Sequence, residues 1–262
     1  MSYISDFKSA PIELFGVNGG VTSTDASLAT LVGVKFSSAD GRVFTLIQNG
    51  GTALTAGKLV QGPVSIGANH TGLTCATAAI GATQITVTLG GTAVTANQYA
   101  GGFAVVSAGT GIGQTLRIKS HPAQSTTTGT VVLTLEDPLS VATAVADSKV
   151  SLTLNPYGSS NGADVTTSGC VISPTTATGP TIGVTITPIA ASTATVPTYG
   201  WVQTHGPVAV LNDSATAIGL DVMPSSSVAG AVVTYVAATR NRIGTATVAG
   251  ENTKAQIINL QL

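Results

Sequence analysis

The chain of 262 residues carries ten Lys or Arg and eleven Asp or Glu, so that 8% of its residues are charged and its net charge is −1. Ordinary soluble domains are about 25% charged, which means that Ser, Thr, Gly, Ala and Asn must cover most of this surface. Such a neutral surface favours association with other subunits. Without a basic patch, and with only 4% aromatic residues, the chain lacks the usual means of binding a phosphate backbone, so we expect no nucleic-acid partner.

The apolar segments of the chain are short. We find no run of about 20 apolar residues and therefore expect no membrane partner. Met1–Gly16 lacks the basic and apolar segments of a secretory signal, which predicts synthesis and folding in a cytoplasm. Cys75 and Cys170 are too few for a disulfide framework and fit a reducing compartment, although a single bridge between them stays open.

Runs of Val, Ile, Thr and Leu bounded by Gly, Asn, Asp or Pro recur along the chain, and helical periodicity is nearly absent. The pattern predicts a mainly β fold, with antiparallel β-sandwich or barrel modules, long loops and little helix. The predicted strands are residues 42–48, 84–89, 102–107, 115–119, 130–135, 149–154, 183–187, 201–204, 208–211, 231–236, 243–248 and 255–262. Asp25–Leu31 and Leu139–Asp147 are candidates for short helices, with a turn or an extended arm as the alternative for each.

Composition divides the chain into four regions. Residues 1–63 form an N-terminal arm and the first strands, and residues 64–156 are dense enough in hairpins for a central β-sandwich or barrel. Residues 157–197 are rich in Ser, Thr, Gly and Pro and predict a loop or linker with one strand. Residues 198–262 predict a C-terminal β-module of about five strands.

The glycine-rich segment Gly109–Gly113 is the one candidate for a phosphate-binding loop. Its glycines do not have the dinucleotide-binding spacing, and the residues that follow, QTLRIK, form a strand pattern instead of a helix. We interpret the segment as a hairpin loop.

The ionisable residues show no catalytic or metal-binding pattern. His70, His121 and His205 are isolated in sequence, and no zinc-ligand spacing joins them to the two cysteines. His205 precedes Gly-Pro and is expected at a turn between two strands. Glu136 and Asp137 are neighbours, and on a strand their side chains point to opposite faces; Asp137 is a candidate cap. We therefore predict no catalytic, cofactor-binding or metal-binding residue, no cofactor and no enzymatic activity.

Two long stretches resemble virion structural proteins of tailed bacteriophages. The C-terminal stretch comprises YGWVQTHGP (Tyr199–Pro207), VAVLNDSATAIGLDVMPSSSVAGAV and IGTATVAGENTKAQIINLQL. The central stretch comprises GGFAVVSAGTGIGQTLRIKSHPA, VVLTLEDPLSVA and SKVSLTLNPY. Together they cover about two-thirds of the chain, and the ending is similar to that of small capsid decoration (cement) proteins.

This resemblance implies a non-enzymatic decoration protein on the capsid surface of a virion, made in the host cytoplasm, whose partner is the major capsid protein. It would bind the outside of the head, stabilise contacts between capsid subunits, and form a homo-oligomer, either a trimer or a dimer. The expected contact segments are the arm Met1–Gly16, by strand addition, and the loop Tyr157–Pro197.

The alternative is a phage tail-fibre or receptor-binding module that recognises a cell-surface glycan. Such a site would stack sugars on aromatic rings, and Trp201, Tyr199 and Tyr157 are the rings available. For Trp201 the competing interpretation is a buried anchor of the last module. Fibres typically contain short repeats of fixed period, and we find no such repeat here.

Overall fold

The computed structural model describes residues 22–65, 67–158, 168–236 and 240–262. The mainly β prediction is confirmed: the strands form one curled antiparallel sheet of ten strands and one closed barrel of six. The chain divides into two compact units. The barrel unit is Val64–Asn155, and the sheet unit contains the described residues up to Pro63 and from Pro156 onward.

The barrel unit interrupts the sequence of the sheet unit at one crossing point. The chain leaves the sheet unit at Gly62–Pro63 and returns to it at Pro156. A Cβ atom at Gly62 would lie 2.5 Å from the carbonyl oxygen of Pro156, so the outgoing and returning segments pack backbone to backbone and only glycine fits there. The barrel is therefore attached as an inserted domain whose two connections are adjacent.

The barrel consists of six short strands. They are β4 (Leu73–Cys75), β5 (Gln84–Thr88), β6 (Phe103–Ala108), β7 (Thr115–Ser120), β8 (Thr130–Leu135) and β9 (Lys149–Thr153). All pairs are antiparallel in the closed order β4-β5-β8-β7-β6-β9, so that β5 to β8 form a Greek key. Closure leaves the barrel without a free edge.

Strict alternation fills the barrel interior. In β8, Val131, Leu133 and Leu135 are buried while Thr130 and Val132 are exposed, which is the pattern of a sheet with one face in the core. A single apolar cluster contains the buried residues of all six strands together with Leu89, Val94, Tyr99 and Leu139 from the loops. The barrel unit is thus built around one continuous core.

The strands of the sheet unit come before and after the barrel in the sequence. They are β1 (Lys35–Ser37), β2 (Val43–Gln48), β3 (Leu59–Gln61), β10 (Val171–Ile172), β11 (Thr181–Thr185), β12 (Tyr199–Leu211), β13 (Asp221–Pro224), β14 (Val232–Thr234), β15 (Gly244–Ala246) and β16 (Ala255–Gln261). The order is β10-β3-β11-β12-β16-β15-β13-β14, and β2 pairs with β12 and with β1. Region 198–262 is therefore one part of a larger sheet, and the described residues of region 157–197 contribute two strands to it where we predicted one.

The long strand β12 organises this sheet. It pairs with β2 over Tyr199–His205 and with β16 over His205–Leu211. We predicted two strands with His205 at the turn between them, and this was wrong. The register with β2 shifts between Gln203 and His205, which indicates a β-bulge at Thr204. Gly206, with a φ of +88°, and Pro207 keep a regular register with β16, so the strand continues through the Gly-Pro step.

Three apolar clusters stabilise the sheet unit. One lies inside the curled sheet and includes Val210, Val222 and Ile258. The other two contain the residues of β2 and the first half of β12, one with Leu46 and Trp201 and the other with Ile47 and Val202. Because these clusters take alternate residues of β2, the strand has no exposed side chain.

The two ends of the curled sheet, β10 and β14, approach each other at a place we call the seam, which comprises residues 173–175, 225–230 and Arg240. Leu59 donates its N–H to the carbonyl of Gly230, and Gly230 donates its N–H to the carbonyl of Ser173, each at 2.8 Å. The guanidinium of Arg240 donates to the carbonyls of Ser225 at 3.0 Å and of Thr175. Backbone and arginine together hold the seam closed.

Helical structure is limited to two 3-10 helices among the described residues, Ala26–Leu31 and Gly67–His70. Asp25 caps the first by accepting the N–H of Ser27 at 2.9 Å, as its position favours. The second predicted helix, Leu139–Asp147, is absent. Its residues form bends and a turn, and Thr143 makes a backbone bridge with Ala78 of the neighbouring loop. Neither helix has the length and apolarity needed to cross a membrane.

Candidate functional site

Three loops meet at one end of the barrel, which we call the loop end. Because the strands alternate in direction, the connections β4–β5 (residues 76–83), β6–β7 (109–114) and β8–β9 (136–148) lie at the end opposite the one where the chain enters at β4 and leaves after β9. Ala78 and Thr143 form a backbone bridge between two of these loops. Thr110 donates its N–H to Asp147 at 3.2 Å and joins the third.

The loop end exposes large aliphatic side chains from all three loops. Ile80 is 69% exposed, Ile112 66%, Val145 59% and Val141 46%. Scattered exposed aliphatics are normal on protein surfaces, whereas a group of them on adjoining loops indicates an interaction site. In a protein with so few charges, this end of the barrel is a candidate for contact with another subunit.

Gln114 fixes the geometry of the loop end. Its side-chain oxygen accepts the N–H groups of Ser140 at 2.9 Å and Val141 at 3.0 Å, and its Nε2 donates to the carbonyl of Val141 at 2.9 Å. One amide therefore satisfies three backbone groups of the neighbouring loop and holds Val141 in place. The sequence analysis missed this residue, because a Gln after a glycine-rich loop carries no signal of its own.

The glycine-rich segment Gly109–Gly113 is the connection between β6 and β7, which confirms the interpretation as a hairpin loop. It presents Ile112 at the loop end.

Glu136 and Asp137, the neighbouring carboxylates for which we predicted no catalytic role, follow directly after β8. Glu136 forms an ion pair with Arg117 of β7, with 3.4 Å between Oε1 and Nε.

Two of the three histidines form a buried polar cluster in the barrel unit with Tyr99. The Tyr99 hydroxyl is hydrogen bonded to Nδ1 of His70, and Nε2 of His70 donates to the carbonyl of Thr92 at 2.9 Å. His121 accepts the Tyr99 N–H at Nε2 over 3.0 Å, and its Nδ1 donates to the carbonyl of Pro122 at 2.9 Å. The two histidines and the tyrosine thus satisfy one another and the surrounding backbone.

This cluster favours a neutral His121. Burial lowers the pKa of His121 below its ordinary value, and the neighbouring His70 lowers it further, against the effect of the hydrogen bond to Pro122. Nε2 of His121 faces an N–H donor and has no room for a proton of its own. Burial also raises the pKa of the Tyr99 hydroxyl, which stays protonated. The neutral cluster therefore serves to hold the surrounding loops together through its hydrogen bonds.

The other candidate ligand residues are dispersed. His205 lies on β12 with an exposed side chain, and Cys75 and Cys170 are free buried thiols, which answers the question of a bridge between them. Burial raises the pKa of both thiols. In the part of the chain that the structure describes, no three His, Cys, Asp or Glu side chains come together as a metal site would require.

None of the three aromatic residues considered for sugar stacking is fully exposed. Trp201 and Tyr199 are completely buried in the cluster with Leu46, and Tyr157 is partly buried and packs against the same cluster. The interpretation of Trp201 as a buried anchor is confirmed. The predicted contact arm Met1–Gly16 lies outside the described residues, as do residues 159–167 of the predicted contact loop.

Comparison with protein-family models, with curated proteins and with solved structures gives no match to this chain.

Proposed function

We propose that the protein is a non-enzymatic structural component of a tailed-phage particle, a decoration protein that binds the outer surface of the head and stabilises contacts between major capsid subunits. The observation that carries the proposal is the loop end of the barrel, where Ile80, Ile112, Val141 and Val145 are exposed together. The resemblance of the central and C-terminal stretches to virion structural proteins supplies the kind of partner.

The chemistry of the loop end suits a permanent protein interface. Interface cores are depleted of charged residues and rely on apolar contact. Two of the three carboxylates on the loop between β8 and β9 already have partners within the barrel unit, since Asp147 accepts from Thr110 and Glu136 pairs with Arg117. A partner that covers the aliphatic side chains therefore leaves these pairs intact. A homo-oligomer, trimer or dimer, at a symmetry axis of the head is part of the proposal.

The first experiment is electron cryo-microscopy of purified virions from the source of the gene. We expect density for this chain on the head lattice, with the loop end against a capsid subunit. Density confined to the tail or its fibres would replace the proposal with an adhesion role. Absence of the chain from the particle would refute it.

A binding experiment tests the surface itself with matched variants. Heads assembled without this chain are mixed with purified protein carrying Ile80→Asp or Ile112→Asp. The control is Ile218→Asp in the sheet unit, whose isoleucine is 67% exposed and so matches the other two. A buried aliphatic side chain contributes about 1.5–3 kcal/mol, so each loop-end variant is expected to raise Kd about tenfold or more, and the control to leave it unchanged. Equal binding by all three variants would contradict the proposed surface.

A further inference from the structure

A pocket of about 500 Å³ opens at the seam of the sheet unit. Its polar lining is unusual for this neutral chain, because it contains two of the ten basic residues. The lining residues that matter here are Gln61, Ser173, Pro224, Arg240, Arg242 and Gln261. None of them belongs to the barrel unit, so the pocket shares no residue with the loop end.

The two arginines differ in their partners. Arg242 is ion-paired with Asp221, with 2.7 Å between Nε and Oδ1, and donates from Nη2 to Thr245 at 2.8 Å. Arg240 donates only to backbone carbonyls, those of Pro174, Thr175 and Ser225. Among the described residues no carboxylate lies within ion-pair distance of Arg240. The pocket therefore holds one positive charge that no acidic side chain of the described chain neutralises.

Arg240 keeps hydrogen-bonding capacity for a ligand. A guanidinium has five N–H donors, and the three carbonyls use both donors of Nη1 and one of Nη2. Nε–H and the second N–H of Nη2 remain without a partner among the described residues. Because the carbonyls fix the plane of the guanidinium, a ligand meets these donors already oriented.

A second polar group in the pocket also lacks a partner. Ser173 is 96% buried, and its hydroxyl makes no hydrogen bond with another described residue, although it lines the pocket. The hydroxyl opens into the pocket, where it is available to donate to a ligand. The side chains of Pro224 and Ile243 supply apolar walls beside it.

We propose that this pocket binds a carboxylate group, carried by a ligand with a small body that fits between the apolar walls. A single guanidinium with two free donors matches the charge and the two oxygens of a carboxylate. A phosphate carries more charge and normally takes more basic partners than the one unpaired arginine here. The Ser173 hydroxyl donates to the ligand, and the neutral amides of Gln61 and Gln261 leave the charge balance unchanged.

The test is a titration of the 15N-labelled full-length chain, in which NMR follows the Nε–H resonance of Arg240. The probes are N-acetyl-L-glutamate N-methylamide for a peptide carboxylate and D-glucuronate for a sugar acid, with N-acetyl-L-glutamine N-methylamide and D-glucose as their neutral counterparts. Inorganic phosphate is the competing anion. We expect saturable shifts with at least one carboxylate and none with its neutral counterpart, and the stronger carboxylate identifies the source. No shift at millimolar concentrations, or a larger effect of phosphate, would overturn the proposal.

Variants separate binding from stability. Arg240→Lys keeps the charge and removes the planar fork, so we expect about tenfold weaker binding of the responding carboxylate, followed by calorimetry. Ser173→Ala is expected to weaken it several-fold with little effect on folding. The matched control is Arg117→Lys, which alters an exposed arginine of the barrel unit and should leave binding unchanged. Should Arg240→Lys unfold, wild type and Ser173→Ala decide the question; equal affinity in these two proteins would contradict the role of Ser173 and refute the assigned site.

Discussion

The two units of this protein both form β structure with few charged residues, but they differ in how their strands and cores are arranged. The barrel unit uses one continuous stretch of chain, closes its sheet and surrounds one core. The sheet unit combines strands that precede and follow the barrel in the sequence, and its buried apolar residues fall into three clusters. The comparison shows that the barrel closes within one continuous stretch of chain, whereas the sheet depends on one long strand, β12, to join distant segments.

The difference also appears in how each unit manages its ends. The barrel has no edge strand, and its loops are free to carry exposed aliphatic residues such as Ile80 and Ile112. The sheet unit has two terminal strands, and it brings them together at the seam through Gly230 and Arg240. Unpaired edges promote aggregation, so the seam is the counterpart of barrel closure.

The largest expected effect is in the sheet unit. Trp201→Ala removes the largest buried side chain, which packs between β2 and the first 3-10 helix. Such a truncation costs about 3–5 kcal/mol. We expect the unfolding transition of the sheet unit to move to lower denaturant while that of the barrel stays in place, as followed by circular dichroism and hydrogen exchange. A shift of both transitions together would show that the units unfold as one.

The reciprocal variant is in the barrel. Leu133→Ala creates a cavity in the centre of β8, where the leucine is completely buried, and costs about 2–5 kcal/mol. Hydrogen exchange should increase throughout β4 to β9 and remain at the wild-type level in β12. Uniform loss of protection across the chain would remove the distinction between the units.

A variant at the crossing point has an intermediate effect. In Gly62→Ala the new Cβ would collide with the carbonyl of Pro156, and relief of the overlap costs about 1–3 kcal/mol. We expect the loss in the sheet unit, which contains both residues, and an unchanged barrel transition. Gly62 does not have a positive φ, so its loss comes from the overlap; Gly41→Ala, at a position with open space around it but a φ of +83°, is the opposite case of backbone strain without overlap.

Acid should act on the barrel through His121. Burial holds the pKa of His121 below the value of about 6.5 in the unfolded chain, so the unfolded state takes up the proton first. The stability that a neutral His121 contributes is complete above pH 6.5 and is lost as the pH falls below it. Chemical denaturation at pH 7.5 and pH 5.5 should show this loss in the barrel transition. His121→Gln should reduce the difference, and an unchanged difference would exclude His121 as its source.

The smallest effect on stability is expected at the loop end. Ile112→Ser replaces a side chain that is two-thirds exposed, and such surface changes alter stability by about 0.5 kcal/mol or less. Both thermal transitions should coincide with those of the wild type. A loss larger than that would mean that Ile112 packs within the protein and is not reserved for a partner.

The sequence predicted the strands with regular alternation well. The predicted strand at 130–135 matches β8 at both ends, and 115–119 and 84–89 match β7 and β5 within a residue. Short strands were missed, among them β3 (Leu59–Gln61) and β10 (Val171–Ile172). A strand of two or three residues has too few positions to show alternation, and its pairing partner determines its conformation.

The candidate sites were less predictable, because they combine residues that are distant in the chain. Ile80, Ile112 and Val141 lie on three separate loops, and only the alternation of strand directions brings them to one end. His70, Tyr99 and His121 are likewise far apart in sequence and adjacent in space. Isolated isoleucines between glycines, as at Ile112, are the one signal that a sequence analysis could use.

Because the barrel is inserted between β3 and β10, the ribosome completes β2 long before it synthesises the partner strand β12. Thr204 of β12 donates to the carbonyl of Val43 of β2 across 161 residues, and at 5–20 residues per second the ribosome needs roughly 8–32 s to supply that partner. During this interval the barrel sequence emerges complete and has all its own strands. The apolar strand β2, meanwhile, has no partner in β12 and is exposed to solvent. Newborn chains are therefore expected to depend on chaperones for their first strands and not for the barrel that follows them.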